Sequence, residues 1–394
     1  MINGRDQRAI IARITAEMAA AQVDAMIFTS ADAVFYSTGY MSRGLYKAGR
    51  TGNSISVVTK TGEVYFIGSE FEKLSAEEAV DPSVHVEAYQ IYLYIEDYAY
   101  EGMVKEEQPG SLKGYKMLPG ILPPDKNMRI GIQKNWITYE AMCYLQELYG
   151  AENISDQSMV LNRARMIKTP WEIDILRYTA QKTEEVMNRI GKEVIPGLPH
   201  AEIFRRFRQY SLEVAPEMYN VSQAHTLGPF FCPPYLAPDM RLQYGDTIRL
   251  DGGLYVNGYK ADLGRTYGVG KCSADKERMY DLLYKAREWE VSHIGPGVKL
   301  SEVFKGTMDI IKKGIGIPNF TRGHYGHSIS NDPSQEEYPY ISGKSTEVFQ
   351  PGMVMCVEAP FYSSRLQTYN VEDTLLVTEN GVEMFTQASP SLYI

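Results

Sequence analysis

What this sequence lacks narrows it before any motif is read. No apolar run approaches the ~18 residues that a membrane-spanning helix needs. The opening Met1-Ile2-Asn3-Gly4-Arg5-Asp6 has no apolar centre of the kind a signal peptide carries. There are only four cysteines, Cys143, Cys232, Cys272 and Cys356, far apart and without a CxxC. That spacing argues against a disulfide framework or a thiolate zinc site and fits a reducing cytoplasm. A basic surplus is missing too: 40 Lys and Arg stand against 49 Asp and Glu, a net charge of −9. Without excess cations to neutralise phosphates, nucleic acid is not an expected partner. What is present is ordinary globular composition, 44% hydrophobic and 23% charged over 394 residues, enough for two domains with full cores. The expectation is a soluble cytoplasmic enzyme with no membrane partner.

Helical and strand patterns alternate over residues 1–160. Residues 5–21 carry apolar side chains at helical spacing, and 24–29 and 129–132 read as buried strands. Residues 53–60 and 63–68 read as strands around Lys60-Thr61-Gly62, and 138–149 as a helix. This predicts an α/β domain over 1–160, with 89–124 left unassigned. A second domain is predicted over 161–394. Thr169-Pro170-Trp171-Glu172 is a capping box with proline at the first helical position, so a long helix begins there.

That second domain contains a repeat. Helices over 169–194 and 199–214, joined by Pro196-Gly197, precede Gln243-Tyr244-Gly245 and a strand reaching Asp251. Helices over 274–293 and 300–313, joined by Pro296-Gly297, precede Gln350-Pro351-Gly352 and a strand reaching Glu358. In each half an acid stands six residues after the glycine, and a second acid follows, Asp262 and Glu372. An α+β domain with a pseudo-two-fold repeat is expected.

The acids carry the chemistry. Asn257-Gly258 is a two-residue hairpin turn, which sets Val256 opposite Tyr259 and Gly253 opposite Asp262. Because side chains alternate along a strand, Asp251 and Asp262 then share a face as diagonal neighbours about 7–8 Å apart. Buried carboxylates need cations, and a divalent metal is one source; the alternative is one solvated and one salt-bridged acid on an edge hairpin. Glu358 and Glu372 also lie in apolar strands, and Arg322-Gly323-His324-Tyr325-Gly326-His327 brings two imidazoles in a glycine-rich turn. Four carboxylates and an imidazole suit a pair of Mn, Co, Fe or Zn ions. Two such ions about 3.5–4 Å apart can hold a hydroxide and polarise a carbonyl.

The order Asp251, Asp262, His327, Glu358, Glu372 has local frames Leu-Asp-Gly-Gly, Ala-Asp-Leu-Gly-Arg-Thr, Gly-His-Ser-Ile, Pro-Gly-Met-Val…Val-Glu and Val-Glu-Asp-Thr. It resembles the pita-bread superfamily of methionine aminopeptidase, aminopeptidase P, prolidase and creatinase. The resemblance covers nearly the whole chain. Arg165 to Ile173 is similar to the start of the catalytic domain in prolidase and aminopeptidase P, and Asp32 to Tyr40 to a stretch of their N-terminal domain. It implies an α/β creatinase-like N-terminal domain and a pita-bread catalytic domain. It implies that Asp262 and Glu372 bridge two divalent ions, that Asp251 binds one, and that His327 and Glu358 bind the other. Glu358 would take the proton from the bridging water, and His324 is the second candidate catalytic residue. The implied activity is that of a metallohydrolase, Xaa-Pro dipeptidase-like or aminopeptidase P-like, with manganese among the metals and a small molecule or dipeptide as substrate.

Some positions depart from the peptidases. Pro234 stands where they carry a histidine, 331–338 contains none, Asn370 replaces an arginine, and Ala359 follows Glu358 where proline is usual. Tyr325-Gly326-His327-Ser328 and Gly49-Arg50 are similar to creatinase instead. Through that likeness Arg50 is either the cation that reaches a neighbouring subunit's substrate carboxylate, which implies a homodimer, or a solvated loop cation. His225 is either a substitute proton shuttle on the substrate side or a structural loop residue. Tyr235, Tyr325, Tyr338 and Phe361 are expected to wall a site for something of dipeptide size. The alternative function is a creatinase-like hydrolase or lyase of a small guanidino, amidine or sulfonium solute, and the remaining one a non-catalytic binding protein.

Overall fold

A computed structural model describes residues 4–47, 49, 51–91, 112–231, 240–332 and 336–394. Arg50, Pro234 and Tyr235 therefore lie outside the described residues. The chain divides between Arg165 and Met166 into two compact units. No described helix is long and apolar enough to cross a membrane.

The N-terminal unit is built on a six-stranded mixed sheet in the spatial order Val84–Tyr89, Val64–Ser69, Ile55–Thr59, Ala25–Phe28, Ile130–Ile132, Ile154–Asp156. Strand alternation explains its two cores. Met26 and Phe28 face the helices Gln7–Ala20 and Ala31–Thr38, meeting Ile10, Ile14, Val34 and Tyr36. Ala25 and Ile27 face the other way, onto Leu145 and Tyr149 of the helix Tyr139–Tyr149. This is the α/β layering that the sequence predicts. The buried pair Arg165–Asp32 (2.8 Å) ties the last helix of the unit, Ser158–Met166, to the second.

The C-terminal unit opens with α1, Pro170–Gly191, whose capping box is present: Thr169 accepts from the Glu172 amide and Glu172 from the Thr169 amide. Helix α2 is His200–Val214. The first sheet centres on β1, Thr247–Val256, which pairs with β2, Leu263–Gly268. The hairpin register is the one the Asn257-Gly258 turn dictates: Tyr259 faces Val256 and Leu263 faces Gly252. The second half repeats the plan with α3, Ala274–His293, and α4, Leu300–Ile315. Its sheet contains β3, Gly326–Ser328, β4, Val354–Glu358, and, beyond a hairpin of β5, Phe361–Ser363, and β6, Gln367–Tyr369, the strand β7, Glu372–Thr378.

The repeat extends to the backbone. Gly245 and Gly352 both take left-handed conformations, φ 84° and 89°. Their amides donate to Val269 and Val377 carbonyls at 2.7 and 2.9 Å. A side chain would strain this conformation, so glycine stands at the same point in each half of the repeat.

Candidate metal centre

Strand geometry assembles the five residues from both sheets. Asp251 lies mid-β1 opposite Gly264, and Asp262 in the link to β2. His327 on β3 faces Cys356 on β4, and Glu358 at the end of β4 faces Glu372 at the start of β7. Residues paired across antiparallel strands share a face, so His327, Cys356, Glu358 and Glu372 project to one side. Carboxylate oxygens of Asp251, Asp262 and Glu372 lie within 4.8 Å of one another. His327 Nε2 is 3.9 Å from Asp262 Oδ2 and 3.8 Å from Glu372 Oε1. Asn370 Nδ2 binds the cluster from behind, 2.9 Å from Glu372 Oε2, 3.3 Å from Asp251 Oδ2 and 3.5 Å from Glu358 Oε2. It occupies the space beside Gly264, where a Cβ would fall 2.4 Å from Nδ2.

Electrostatics divides the acids. Burial, reinforced by neighbouring carboxylates, pushes Asp262 and Glu372 well above the usual range. Burial also raises Asp251, and Arg249, at 2.8 Å, opposes it. Burial pushes Glu358 up as well, but His324 and Arg322, at 3.2 and 3.3 Å, hold it down at about 2. His324 loses some basicity to burial, yet Glu336 and Glu358 on its two ring nitrogens raise it to about 9. Burial lowers His327, keeping it neutral, and its Nδ1 donates to the Ser328 carbonyl at 2.9 Å. That bond leaves the Nε2 lone pair facing the carboxylates.

These residues fit a divalent metal. Asp262 Oδ1 and Glu372 Oε1 are buried without hydrogen-bond partners. Unpaired buried carboxylate oxygens are costly, and oxygens with one neutral imidazole are the donor set of hard to borderline divalent ions.

Not every expected residue belongs here. His225 lies on the strand edge beside β1, where Ala224 donates its amide to the Asp251 carbonyl. Alternation turns the next side chain to the opposite face, and the His225 ring packs against Phe204 and Phe207 of α2. Burial takes it down to about 3, so it is a neutral core residue rather than a shuttle at the site. Tyr325 is not a wall either; it is fully buried and its hydroxyl meets Met308. Phe361 packs on Phe320, and Tyr338 bonds Glu347.

Four neighbours of the centre escape the sequence reading. Arg249 shares Asp251's face by its i, i+2 spacing, a signal already available in the sequence. Cys356 has the same relation to Glu358, and its thiol donates to the Asp262 carbonyl at 3.4 Å. Glu336 comes from the segment that lacks the peptidase histidine. Tyr362, whose hydroxyl accepts from Arg249 Nη1 at 2.9 Å, reaches the site only through the β5–β6 hairpin, which no local pattern predicts.

The fold and site together define a metal-dependent hydrolase. Residues 174–379 match the model of metallopeptidase family M24, and residues 10–167 that of the creatinase/prolidase N-terminal domain. The chain belongs to metallopeptidase family M24. The peptidase YqhT of Bacillus subtilis is 27% identical over 270 residues, 68% of this chain and 75% of the relative. The Xaa-Pro dipeptidase of Pyrococcus furiosus is 25% identical over 309 residues, 78% and 87% of the two chains. Among solved structures, the Xaa-Pro dipeptidase from Bacillus anthracis superposes with a TM-score of 0.78 at 21% identity, covering 99% of this chain and 100% of the other. That likeness is one of fold: a creatinase-like N-terminal domain followed by a pita-bread catalytic domain. Family membership implies a divalent metal cofactor.

Proposed function

We propose that this protein is a dipeptidase of the Xaa-Pro class, with Asp251, Asp262, His327, Glu358 and Glu372 holding two divalent ions, manganese among the candidates. One observation carries the reading: two buried carboxylate oxygens, Asp262 Oδ1 and Glu372 Oε1, stand unpartnered beside a neutral histidine nitrogen. The ions, when bound, polarise a carbonyl and lower the pKa of water. The chain's own residues supply the rest. Glu358, kept ionised by His324 and Arg322, accepts a proton at its carboxylate. His324, protonated between Glu336 and Glu358, donates one to the leaving nitrogen. The relatives named above are peptidases, and nothing in them favours the small-solute alternative.

Purified protein supplied with manganese, cobalt, iron or zinc should hydrolyse Xaa-Pro dipeptides and leave pentapeptides largely intact. Failure on every Xaa-Pro dipeptide, with two ions per chain shown by elemental analysis, would remove this reading. The same proposal includes a cytoplasmic homodimer. The free cysteines Cys143, Cys272 and Cys356 are compatible with a reducing compartment. Light scattering that finds a fully active monomer would exclude the dimer.

A further inference from the structure

We propose that Arg249 and Tyr362 form the subsite for the substrate's free carboxylate, an assignment that rests on the dipeptidase reading above. Arg249 is 8% exposed, yet it lies in the field of Asp251, Glu358 and Glu372 at the reacting centre. Its Nη1 forms an ion pair with Asp251 Oδ2 at 2.8 Å and donates to Tyr362 Oη at 2.9 Å. Its Nη2 has a long contact, 3.4 Å, to the Ala224 carbonyl, and Nε has no partner. A guanidinium carries five N–H donors, so part of this one's capacity is unused. Any cation that Asp251 binds takes charge compensation from Arg249, and a desolvated guanidinium then needs another anion.

Tyr362 supplies the accessible end of the pair. Tyr362 is 47% exposed, and Phe231, 44% exposed, meets its ring edge-on with centroids 6.1 Å apart. Because the phenol oxygen already accepts from Arg249, its hydrogen is free to donate outward. A hydroxyl that accepts one hydrogen bond from a cation also donates a stronger one. The pair thus offers a polarised O–H backed by positive charge, flanked by two aromatic faces suited to an apolar ring.

Reach sets the substrate length. Tyr362 Oη and Asp251 Oδ2 contact the same Arg249 nitrogen, at 2.9 and 2.8 Å. Consecutive Cα atoms lie ~3.8 Å apart, so each added residue moves a terminal carboxylate by about that much. A carboxylate on Tyr362 therefore leaves room for a single residue beyond the scissile carbonyl.

The test compares an Xaa-Pro dipeptide with its C-terminal amide, in the metal-loaded wild type, Tyr362→Phe and Arg249→Met. Calorimetric titration with free proline and prolinamide follows binding without turnover. The wild type should favour the acid, and Tyr362→Phe should raise KM for the acid about tenfold, the equivalent of one charged hydrogen bond. The same variant should change KM for the amide by less than for the acid and leave metal content unchanged. Arg249→Met should abolish the remaining preference. Equal KM changes for acid and amide, or a wild type indifferent to amidation in both assays, would overturn the proposal. If no dipeptide is cleaved but proline binding exceeds prolinamide binding and Tyr362→Phe removes the difference, the subsite stands and the dipeptidase reading falls. If Arg249→Met fails to fold, the Tyr362→Phe comparison decides alone.

Discussion

Glu358 and Glu372 stand directly opposite each other on adjacent antiparallel strands, β4 and β7, with the Asn370 amide donating to both. Like charges in this position repel, and burial amplifies the cost. The protein tolerates the pair because His324 and Arg322 stabilise one charge while burial disfavours the charged form of the other carboxyl.

Stability without metal should therefore fall as pH rises. A carboxyl whose folded-state pKa is raised binds its proton more tightly when folded than when unfolded. Stability is highest below the unfolded value, roughly 4, and is lost as pH climbs through the raised values of Asp262 and Glu372. Thermal melts in chelator from pH 5 to 9 should show this decline, and divalent ion should remove it. A flat profile in chelator would mean the two acids are not coupled as described.

Removing an acid proposed to bridge the ions should reduce the metal complement. Asp262→Ala is expected to bind fewer ions per chain than the wild type by elemental analysis. Unchanged stoichiometry would take Asp262 out of the bridge.

His324 should set the alkaline limit of activity. Held at about 9 by Glu336 and Glu358, it keeps its proton through neutrality and loses it as pH rises through that value. Glu336→Gln removes one of the two carboxylates, so the fall in kcat should move to lower pH. A profile identical to the wild type would exclude His324 as the proton donor.

Next to Glu372, Asp373 points the other way and is completely buried. It accepts from Arg265 Nη2 and Thr386 Oγ1, both at 2.8 Å, from the Ala388 amide at 3.0 Å, and from Arg287. Asp373→Ala leaves two buried guanidiniums without their common acceptor. It should cost about 3–5 kcal/mol in denaturant unfolding, and a loss under about 1 kcal/mol would show that other groups satisfy them.

Much of this was legible in the sequence because it is local. The Asn257-Gly258 turn fixes a register, and the register places Asp251 and Asp262 on one face. The Thr169–Glu172 box fixes a helix start, and the matched glycines mark the two halves. Parity along one strand was also available and would have found Arg249 from Asp251. Parity between separate strands was not: His225 belongs to an edge segment whose alignment with β1 depends on tertiary pairing, and that pairing turns its ring into the core. Tyr325 misled for a similar reason. His327 belongs to the site, but Tyr325 precedes β3, outside the reach of strand alternation, and its side chain packs on Phe304 and Met308 of α4.

The division of the proposed ligands between the two sheets has a mechanical consequence. Asp251 and Asp262 come from the first half of the repeat, and His327, Glu358 and Glu372 from the second, so an ion bound by both is a reversible rivet through the middle of the unit. Distant stretches of chain must already be in register before that rivet can seat, and once seated it favours the folded state by mass action. On that reading, the concentration of free divalent ion sets how strongly the folded state is favoured.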